Sequence, residues 1–359
     1  MISSSGVTLL TAAVLTAWPW TQASADEPWI ALKTGLKCSA CHVNRSGGGG
    51  RNNLGSVYAQ TQLTWAAGEV KSRALTEFLF VGFDFRLKAS GTARESTPRT
   101  SIDLDEAQVY LEARLVRDRV ALYIDQTVGP NRAVARELFA VVEKLPLNGY
   151  AKAGKLLVPY GIRLKDDEEF IRSITGFNYN TPDQGVEVGV EPGPWSIVIA
   201  VTNGNLGAAE NNSGKLASTL VSYTRSKYRV GLSASRNTAD GLRRDVYGGF
   251  GGVRLGRLGV LGELDFLEER LLDTAPRRQF IGFAEGDLTL RQGLNAKVTY
   301  GYHDRDRDVP EDQRIRWRFG LEAFPNPFVQ LSGFYILEED IPQASRDLDR
   351  VFLELRLHF

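Results

Sequence analysis

The sequence is poor in the residues that bind metals or form covalent cross-links. Its 359 residues include two cysteines, three histidines and one methionine, which is Met1. Two cysteines three positions apart are too few for a disulfide-stapled secreted scaffold. Basic and acidic side chains number 43 each, so the net charge is zero. Because a nucleic-acid-binding protein usually carries a basic face, this balance gives no reason to expect nucleic acid as a partner.

The sequence also lacks an apolar run of the ~20 residues that a membrane-spanning helix needs. An apolar stretch from 7 to 18 precedes Ala23-Ser24-Ala25, which has the small-x-small pattern of a cleavage site. We interpret residues 1–25 as an export signal, with Asp26 as the new N-terminus. No lysine or arginine precedes Lys33. Either the terminal amine alone supplies the positive charge of the signal, or the true start lies elsewhere.

The two cysteines and one histidine form a motif. Cys38-Ser39-Ala40-Cys41-His42 has the C-x-x-C-H spacing of c-type haem attachment. The two thiols add to the porphyrin vinyl groups, which brings the adjacent histidine beneath the iron as proximal ligand. A CxxC redox pair would leave His42 without a purpose, and a zinc site would need a second Cys/His pair. The motif predicts one covalent haem c on Cys38, Cys41 and His42.

The sequence offers few ligands for the other side of the iron. Methionine is a common axial ligand in cytochromes c, but none follows Met1. His303 and His358 are the remaining histidines and are therefore the candidate distal ligands; otherwise the position is open or holds a weaker ligand. The haem segment, residues 26–74, has few apolar side chains. Because such a short segment can hardly enclose a macrocycle, we expect the pocket to include part of the following domain.

From residue 75 onward, short segments alternate apolar and polar side chains. Between 314 and 319, for example, arginines alternate with Ile315, Trp317 and Phe319. This period of two places apolar side chains on one face of a strand. The segments of this kind lie at about 75–89, 103–116, 118–126, 135–145, 150–158, 183–191, 195–203, 216–225, 227–237, 245–256, 258–268, 278–290, 294–304, 314–324, 327–338 and 350–359.

Short turns and long polar loops alternate between these segments. An even strand number with this alternation is typical of an outer-membrane barrel. A soluble all-β sandwich fits so many short amphipathic strands poorly, and Phe359 after an alternating strand is typical of outer-membrane barrels. The sequence therefore predicts an all-β transmembrane barrel of about 16 antiparallel strands over residues 75–359. The expected location is the outer membrane of a Gram-negative bacterium, with both termini on the periplasmic side.

The longest predicted loop, residues 159–182, would be the third on the extracellular side. It resembles the loop that folds inward and narrows the lumen of sixteen-stranded porins. It carries four consecutive acidic residues, from Asp166 to Glu169. These could concentrate cations at the mouth of the pore. A solvated charged loop is the alternative.

A haem motif after an export signal, followed in the same chain by a sixteen-stranded barrel, resembles the fused monohaem cytochrome–porins. That family includes outer-membrane iron(II) oxidases. The residues at 31–37, Ala-Leu-Lys-Thr-Gly-Leu-Lys, carry the specific likeness. After the motif the iron oxidases tend to continue with Phe-Pro, whereas this chain has Val43 to Ser46 and four glycines. The region 156–204 is also similar to phosphate-selective-type porins, which supports a barrel.

The resemblance implies electron transfer at the outer membrane. One haem would exchange electrons between an extracellular donor or acceptor, iron(II) among them, and periplasmic cytochromes or other carriers. The enzyme activity that this would imply is iron(II):cytochrome oxidoreductase. The alternative is a solute porin with a haem-bearing plug or docking segment, in which Arg314, Arg316, Arg318 and Arg356 of the lumen would select anions. A haem peroxidase would need a distal acid or base, for which the sequence offers no convincing constellation.

Overall fold

The computed structural model of the chain describes residues 28–66, 69–92, 99–130, 133–164, 166–210, 212–239, 241–272, 274–342 and 348–359. The predicted export signal lies outside the described residues. The described α-helices are short: α1 is Pro28–Thr34, α2 is Asn53–Tyr58 and α3 is Phe170–Ser173. A π-helical turn, Ala59–Leu63, continues α2. Among the described residues, no helix is long and apolar enough to cross a membrane.

The rest of the described chain is dominated by sixteen β-strands. They are β1 Leu79–Thr92, β2 Thr100–Val116, β3 Val120–Gly129, β4 Val134–Leu145, β5 Gly149–Leu156, β6 Asp183–Val190, β7 Trp195–Thr202, β8 Leu216–Thr224, β9 Tyr228–Ala239, β10 Leu242–Leu255, β11 Leu258–Leu271, β12 Arg277–Arg291, β13 Leu294–Asp304, β14 Gln313–Asn326, β15 Val329–Asp340 and β16 Leu348–His358.

These described strands form one closed antiparallel barrel, in which β1 pairs with β16 and every other strand pairs with its neighbours in sequence. The predicted fold class is confirmed. The predicted strand ends lie within four residues of the observed ones, and the largest difference is at the start of β1, predicted at 75 and observed at Leu79. The residues before β1 form a turn instead, in which the Leu75 amide donates to the Leu79 carbonyl over 2.9 Å.

The barrel wall presents apolar side chains outward and polar side chains inward. On β1, Phe83, Phe85 and Leu87 are 42%, 37% and 37% exposed, whereas Asp84 and Arg86 are 2% and 0% exposed. Because successive strand residues point to opposite faces, the period of two in the sequence produces this division directly. A soluble sandwich would have its apolar faces inside. The observed arrangement is that of a barrel surrounded by lipid.

The two ends of the barrel differ. The connections at 116–120, 145–149, 190–195, 224–228, 255–258, 291–294 and 326–329 lie at one end, together with the start of β1 and the end of β16. We call this the short-turn end. The opposite end holds the longer connections and is called the long-loop end.

Two segments fill part of the lumen. We call residues 28–66 the plug segment and residues 157–182 the inner loop. Trp29 and Leu63 of the plug segment pack in one apolar cluster with Tyr160 and Phe170 of the inner loop and Phe250 of the wall. The third long connection therefore folds inward, as its likeness to the porin loop predicts.

Candidate functional site

The plug segment is fixed across the short-turn end by bonds to several turns. Lys37 Nζ donates to the Trp195 carbonyl over 2.6 Å. Trp65 Nε1 donates to the Gly293 carbonyl over 2.6 Å. Arg45 forms an ion pair of 2.7 Å with Glu191. Trp195 and Glu191 belong to the β6–β7 hairpin and Gly293 belongs to the β12–β13 hairpin, so the plug segment ties together two separate parts of the barrel rim.

One half of the lumen wall is apolar where the plug segment packs. The inward-facing residues of β10 to β12 include Phe250, Leu261 and Phe283, all buried in the cluster that holds Trp29 and Leu32. Gly252 leaves room for the Leu32 side chain, since a Cβ there would lie 2.7 Å from Leu32 Cδ1. Burial of apolar surface, worth roughly 25 cal/mol per Å², is the main stabilisation available to so short a segment.

The Cys-x-x-Cys-His motif is held by Asn52. The motif begins in a 3-10 turn, Cys38–Ala40. Asn52 Nδ2 donates to the Ala40 carbonyl over 3.0 Å, and Asn52 Oδ1 accepts from the Gly55 amide over 3.0 Å. Asn52 thereby caps α2 and joins it to the motif. A Cβ at Gly55 would lie 2.1 Å from the Cys41 carbonyl oxygen, so α2 packs directly against the motif only because this residue is glycine.

The glycines after the motif form a tight turn beside the cysteines. Gly47, Gly48 and Gly49 have φ angles of 98°, 86° and 65°. This left-handed region is costly for other residues. A Cβ at Gly48 would lie 2.3 Å from Tyr179 Oη, and one at Gly49 would lie 2.5 Å from Tyr123 Oη. Both the backbone conformation and the close approach to the wall and the inner loop therefore require glycine.

The motif opens into a cavity inside the barrel. Its empty volume, including solvent at its mouth, is about 1000 Å³. The lining residues from the plug segment are Pro28, Ile30, Ala31, Thr34, Leu36, Lys37, Cys38, Cys41, His42, Ser46, Gly47, Gly48, Gly49, Arg51, Gly55, Tyr58, Ala59 and Leu63. The inner loop contributes Gly161, Ile162 and Arg163, and the wall contributes Arg229 and Arg356.

The cavity is apolar and cationic at once. Its described lining includes four arginines, Arg51, Arg163, Arg229 and Arg356, and no aspartate or glutamate. Aliphatic side chains supply much of the remaining surface. Such a lining suits a ligand with apolar faces and carboxylate substituents. The three residues of the motif lie in the same cavity, so their donor set and the lining both fit a covalently bound haem.

The described residues give no support to the two other functions considered for the thiols. Burial raises the pKa of the Cys41 thiol, and the neighbouring Cys38 raises it further. A catalytic CxxC pair needs a lowered thiol pKa instead. Among the described residues, no group of three or more His, Cys, Asp or Glu side chains is arranged to hold a metal ion by itself.

The two candidate distal histidines lie outside the described lining of the cavity. His358 Nδ1 is 2.8 Å from a guanidinium nitrogen of Arg51, so His358 lies behind a residue that does line it. His303 Nε2 is 2.8 Å from Gln279 Oε1, near the long-loop end. Their ligation of iron stays a prediction.

Sequence reasoning missed Tyr58, whose hydroxyl belongs to a lining residue and whose pKa burial raises to about 12. It also missed the role of the arginines at 51, 163 and 229, because nothing in their local sequence indicates a shared cavity. Unlike the two cysteines, these arginines form no motif with a fixed spacing. They come together in one cavity only when the barrel closes.

The acidic residues of the inner loop are buried in contact with the wall and with the loop itself. Asp166 pairs with Arg318 and Glu168 pairs with Arg350, the latter over 2.8 Å. Asp167 Oδ1 accepts from the Tyr179 amide over 3.0 Å. The alternative of a solvated charged loop is therefore wrong. Because these carboxylates are paired with wall arginines or bonded within the loop, they attach the inner loop to the wall. They do not form a ring of unpaired charges that would concentrate cations.

The lumen arginines considered for anion selection are also paired. Arg314 and Arg316 both pair with Glu338, the second over 2.5 Å. Arg356 pairs with Asp84 over 2.7 Å. Compensated arginines attract anions less than free ones, because the partner carboxylate cancels most of the field.

Attachment of the inner loop is expected to weaken as pH rises. Burial raises the pKa of Asp167 to about 8, whereas an exposed aspartate has a pKa near ~3.9. Between these values the closed loop binds more protons than the open loop, so the free energy of opening falls with rising pH. We expect hydrogen exchange of the Tyr179 amide, corrected for its intrinsic rate, to accelerate about fiftyfold between pH 6 and pH 8.

Asp167→Asn mimics the protonated side chain and is the matched comparison for that experiment. It should flatten the pH dependence and leave exchange slow at pH 8. Equal acceleration in Asp167→Asn and in the unmodified protein would assign the effect to another group.

Comparisons with known proteins identify the barrel. No model of a known protein family matches the sequence, and no curated protein matches it. Among solved structures, the chain is similar to an anion-selective porin from Comamonas acidovorans, with 10% identity, a TM-score of 0.66 and coverage of 78% of this chain and 99% of that one. OmpT of Vibrio cholerae gives 12% identity, a TM-score of 0.62 and coverage of 80% and 100%.

OmpF of Salmonella typhi, in complex with daunomycin, gives 11% identity, a TM-score of 0.61 and coverage of 78% and 97%. Such low identities carry information on fold and not on function. The chain therefore has the fold of the sixteen-stranded outer-membrane porins, with a cavity that contains Cys38, Cys41 and His42 inside it.

Proposed function

We propose that this protein is an outer-membrane electron carrier with one haem c bound inside a porin-like barrel. Cys38 and Cys41 form the thioether bonds and His42 is the proximal ligand. The observation that carries the proposal is the position of the motif, which faces a cavity built jointly by the plug segment, the inner loop and the wall. The porin fold supports the outer-membrane location and the channel-like framework.

The lining supports each part of this assignment. Ile30, Leu63 and Ile162 would cover the apolar faces of the macrocycle. Arg163 offers a guanidinium group to its carboxylates, since arginine pairs with carboxylates in bidentate geometry. When bound, a haem supplies one-electron redox chemistry. The chain itself orients the group, excludes water from its faces and sets the charge around it.

The barrel gives the path of the electrons two separate ends. Its apolar outer band, ~25 Å tall in such barrels, insulates the lumen from the lipid. We place both termini, and with them the short-turn end, on the periplasmic side. Periplasmic cytochromes or other carriers would exchange electrons with the haem at that end. An extracellular donor or acceptor, iron(II) among them, would exchange electrons at the long-loop end. On this basis an iron(II):cytochrome oxidoreductase activity is part of the proposal.

The anion-porin alternative has less support. A porin of this size conducts through an open lumen, but here the plug segment and the inner loop share one packed cluster inside the barrel. The arginines that would select anions are paired with carboxylates. We therefore rank electron transfer first.

The test is the haem content of the outer membrane. Outer-membrane fractions of a strain with an active c-type haem maturation system should contain a band of the processed mass that stains for haem after denaturation. The purified protein should show a c-type visible spectrum that responds to titration with iron(II) and other donors. A membrane band of that mass without haem would refute the proposal. Spectra of His358→Ala and His303→Ala test the two candidate distal ligands, because replacement of an iron ligand should change the haem spectrum and an unchanged low-spin spectrum would exclude that histidine.

A further inference from the structure

Arg229 is an arginine of the barrel wall that contacts the Cys-x-x-Cys-His motif. It lies near the start of β9 and lines the cavity. Its guanidinium NH1 is 3.5 Å from Cys38 Sγ and its Cζ lies 5.3 Å from the centre of the Phe250 ring. Arg229 is thus a cation held between a thiol and an aromatic ring.

No carboxylate compensates this charge among the described residues. Arg229 forms no ion pair there, and its Nε is buried without a hydrogen-bond acceptor. By contrast, Arg356 of the same cavity pairs with Asp84 over 2.7 Å. Because solvent screens a half-buried cation less than an exposed one, Arg229 acts on any charge that changes beside it.

The carboxylates of a bound haem would not neutralise Arg229. In haem, the two vinyl-bearing pyrroles and the two propionate-bearing pyrroles lie on opposite sides of the macrocycle. A group beside Cys38 lies at the thioether side, because Cys38 bonds to a former vinyl group.

We propose that Arg229 raises the reduction potential of the haem attached at Cys38. This inference rests on the proposed function. Oxidation removes one electron and leaves the haem more positive by one charge. A fixed cation beside the macrocycle disfavours that form, so it shifts the equilibrium toward the reduced haem. Arg229 is in this sense a tuning residue that acts through its charge and not through a bond to the iron.

The experiment is a spectroelectrochemical titration of the purified, haem-loaded full chain. In Arg229→Gln we expect the ratio of reduced to oxidised haem at a given potential to fall about tenfold, which corresponds to a midpoint lower by about 59 mV for one electron. Arg229→Lys retains the charge and should stay near the unmodified midpoint. Arg225→Gln removes an exposed arginine from the adjacent β8–β9 turn and is the matched control, because solvent screens its charge.

Three outcomes would overturn the inference. In the first, Arg229→Gln has the same midpoint potential as Arg225→Gln. In the second, the midpoint potential of Arg229→Lys falls as far as that of Arg229→Gln, which would mean that the shape of the side chain matters and its charge does not. Loss of haem from both Arg229→Gln and Arg229→Leu would assign Arg229 to building the site. Absence of haem from the unmodified protein would instead refute the proposed function, so the two failures are distinguishable.

Discussion

Simultaneous replacement of Cys38 and Cys41 by serine is expected to reduce covalently bound haem from one per chain to none. Serine preserves the size and polarity of the site but forms no thioether bond to a vinyl group. The measurement is haem staining after denaturing electrophoresis, together with the absorbance of the denatured, pyridine-treated protein. Single replacements should retain at most one thioether bond, which shifts the absorbance maximum of the reduced complex.

Ser39→Ala is the matched control for the cysteine variants. It lies between the two cysteines and loses only the bond from Ser39 Oγ to Glu191 Oε2, which is 2.8 Å long. It should therefore keep full haem content. Haem that survives denaturation in the double serine variant would show that attachment does not use these thiols. Barrel folding in each variant is checked by its resistance to unfolding in cold detergent.

Removal of the plug segment, residues 28–66, is expected to open a pore. In the intact protein the plug segment and the inner loop pack together inside the lumen, so we expect planar-bilayer currents near the baseline. Without the plug segment only the inner loop narrows the barrel, as in sixteen-stranded porins. Single-channel conductance should then rise at least about tenfold over the intact chain.

A gentler variant tests the same point in the complete chain. Gly48→Val and Gly49→Val together place side chains against Tyr179 and Tyr123 and force a left-handed backbone on valine, which costs on the order of 1–3 kcal/mol at each position. The plug segment should detach in part, with intermediate and fluctuating currents. Gly286→Ala is the control, because nothing lies within 4 Å of a Cβ there. Baseline currents in both the deletion and the valine variants would mean that the inner loop alone closes the lumen.

The local sequence was sufficient to predict the strands, because side chains along a strand point alternately to its two faces. The segment predicted at 294–304 is β13 with the same limits, Leu294–Asp304. Turn and loop lengths also indicated which connections share an end. The start of β1 was misplaced because Leu75 and Phe78 are apolar as well, and a turn that closes on Leu79 is not visible in the period of two.

The motif at Cys38, Cys41 and His42 and the small size of its segment were equally local features. They predicted a haem and a pocket that extends beyond the segment. The glycines that follow looked like a departure from the family resemblance. Only the structure explains why glycine is needed there, because these residues pack closely against Tyr123 and Tyr179.

The sequence by itself determined the barrel, the position of the Cys-x-x-Cys-His motif and the scarcity of candidate iron ligands. Each of these follows from residue type and spacing within a few positions. The tertiary structure alone decided which charges meet. Cys38 and Arg229 are 191 residues apart, and Arg51 and His358 are 307 apart. Such pairs form only when the barrel closes in one register and the plug segment packs inside it, and no local pattern encodes that register for charged side chains.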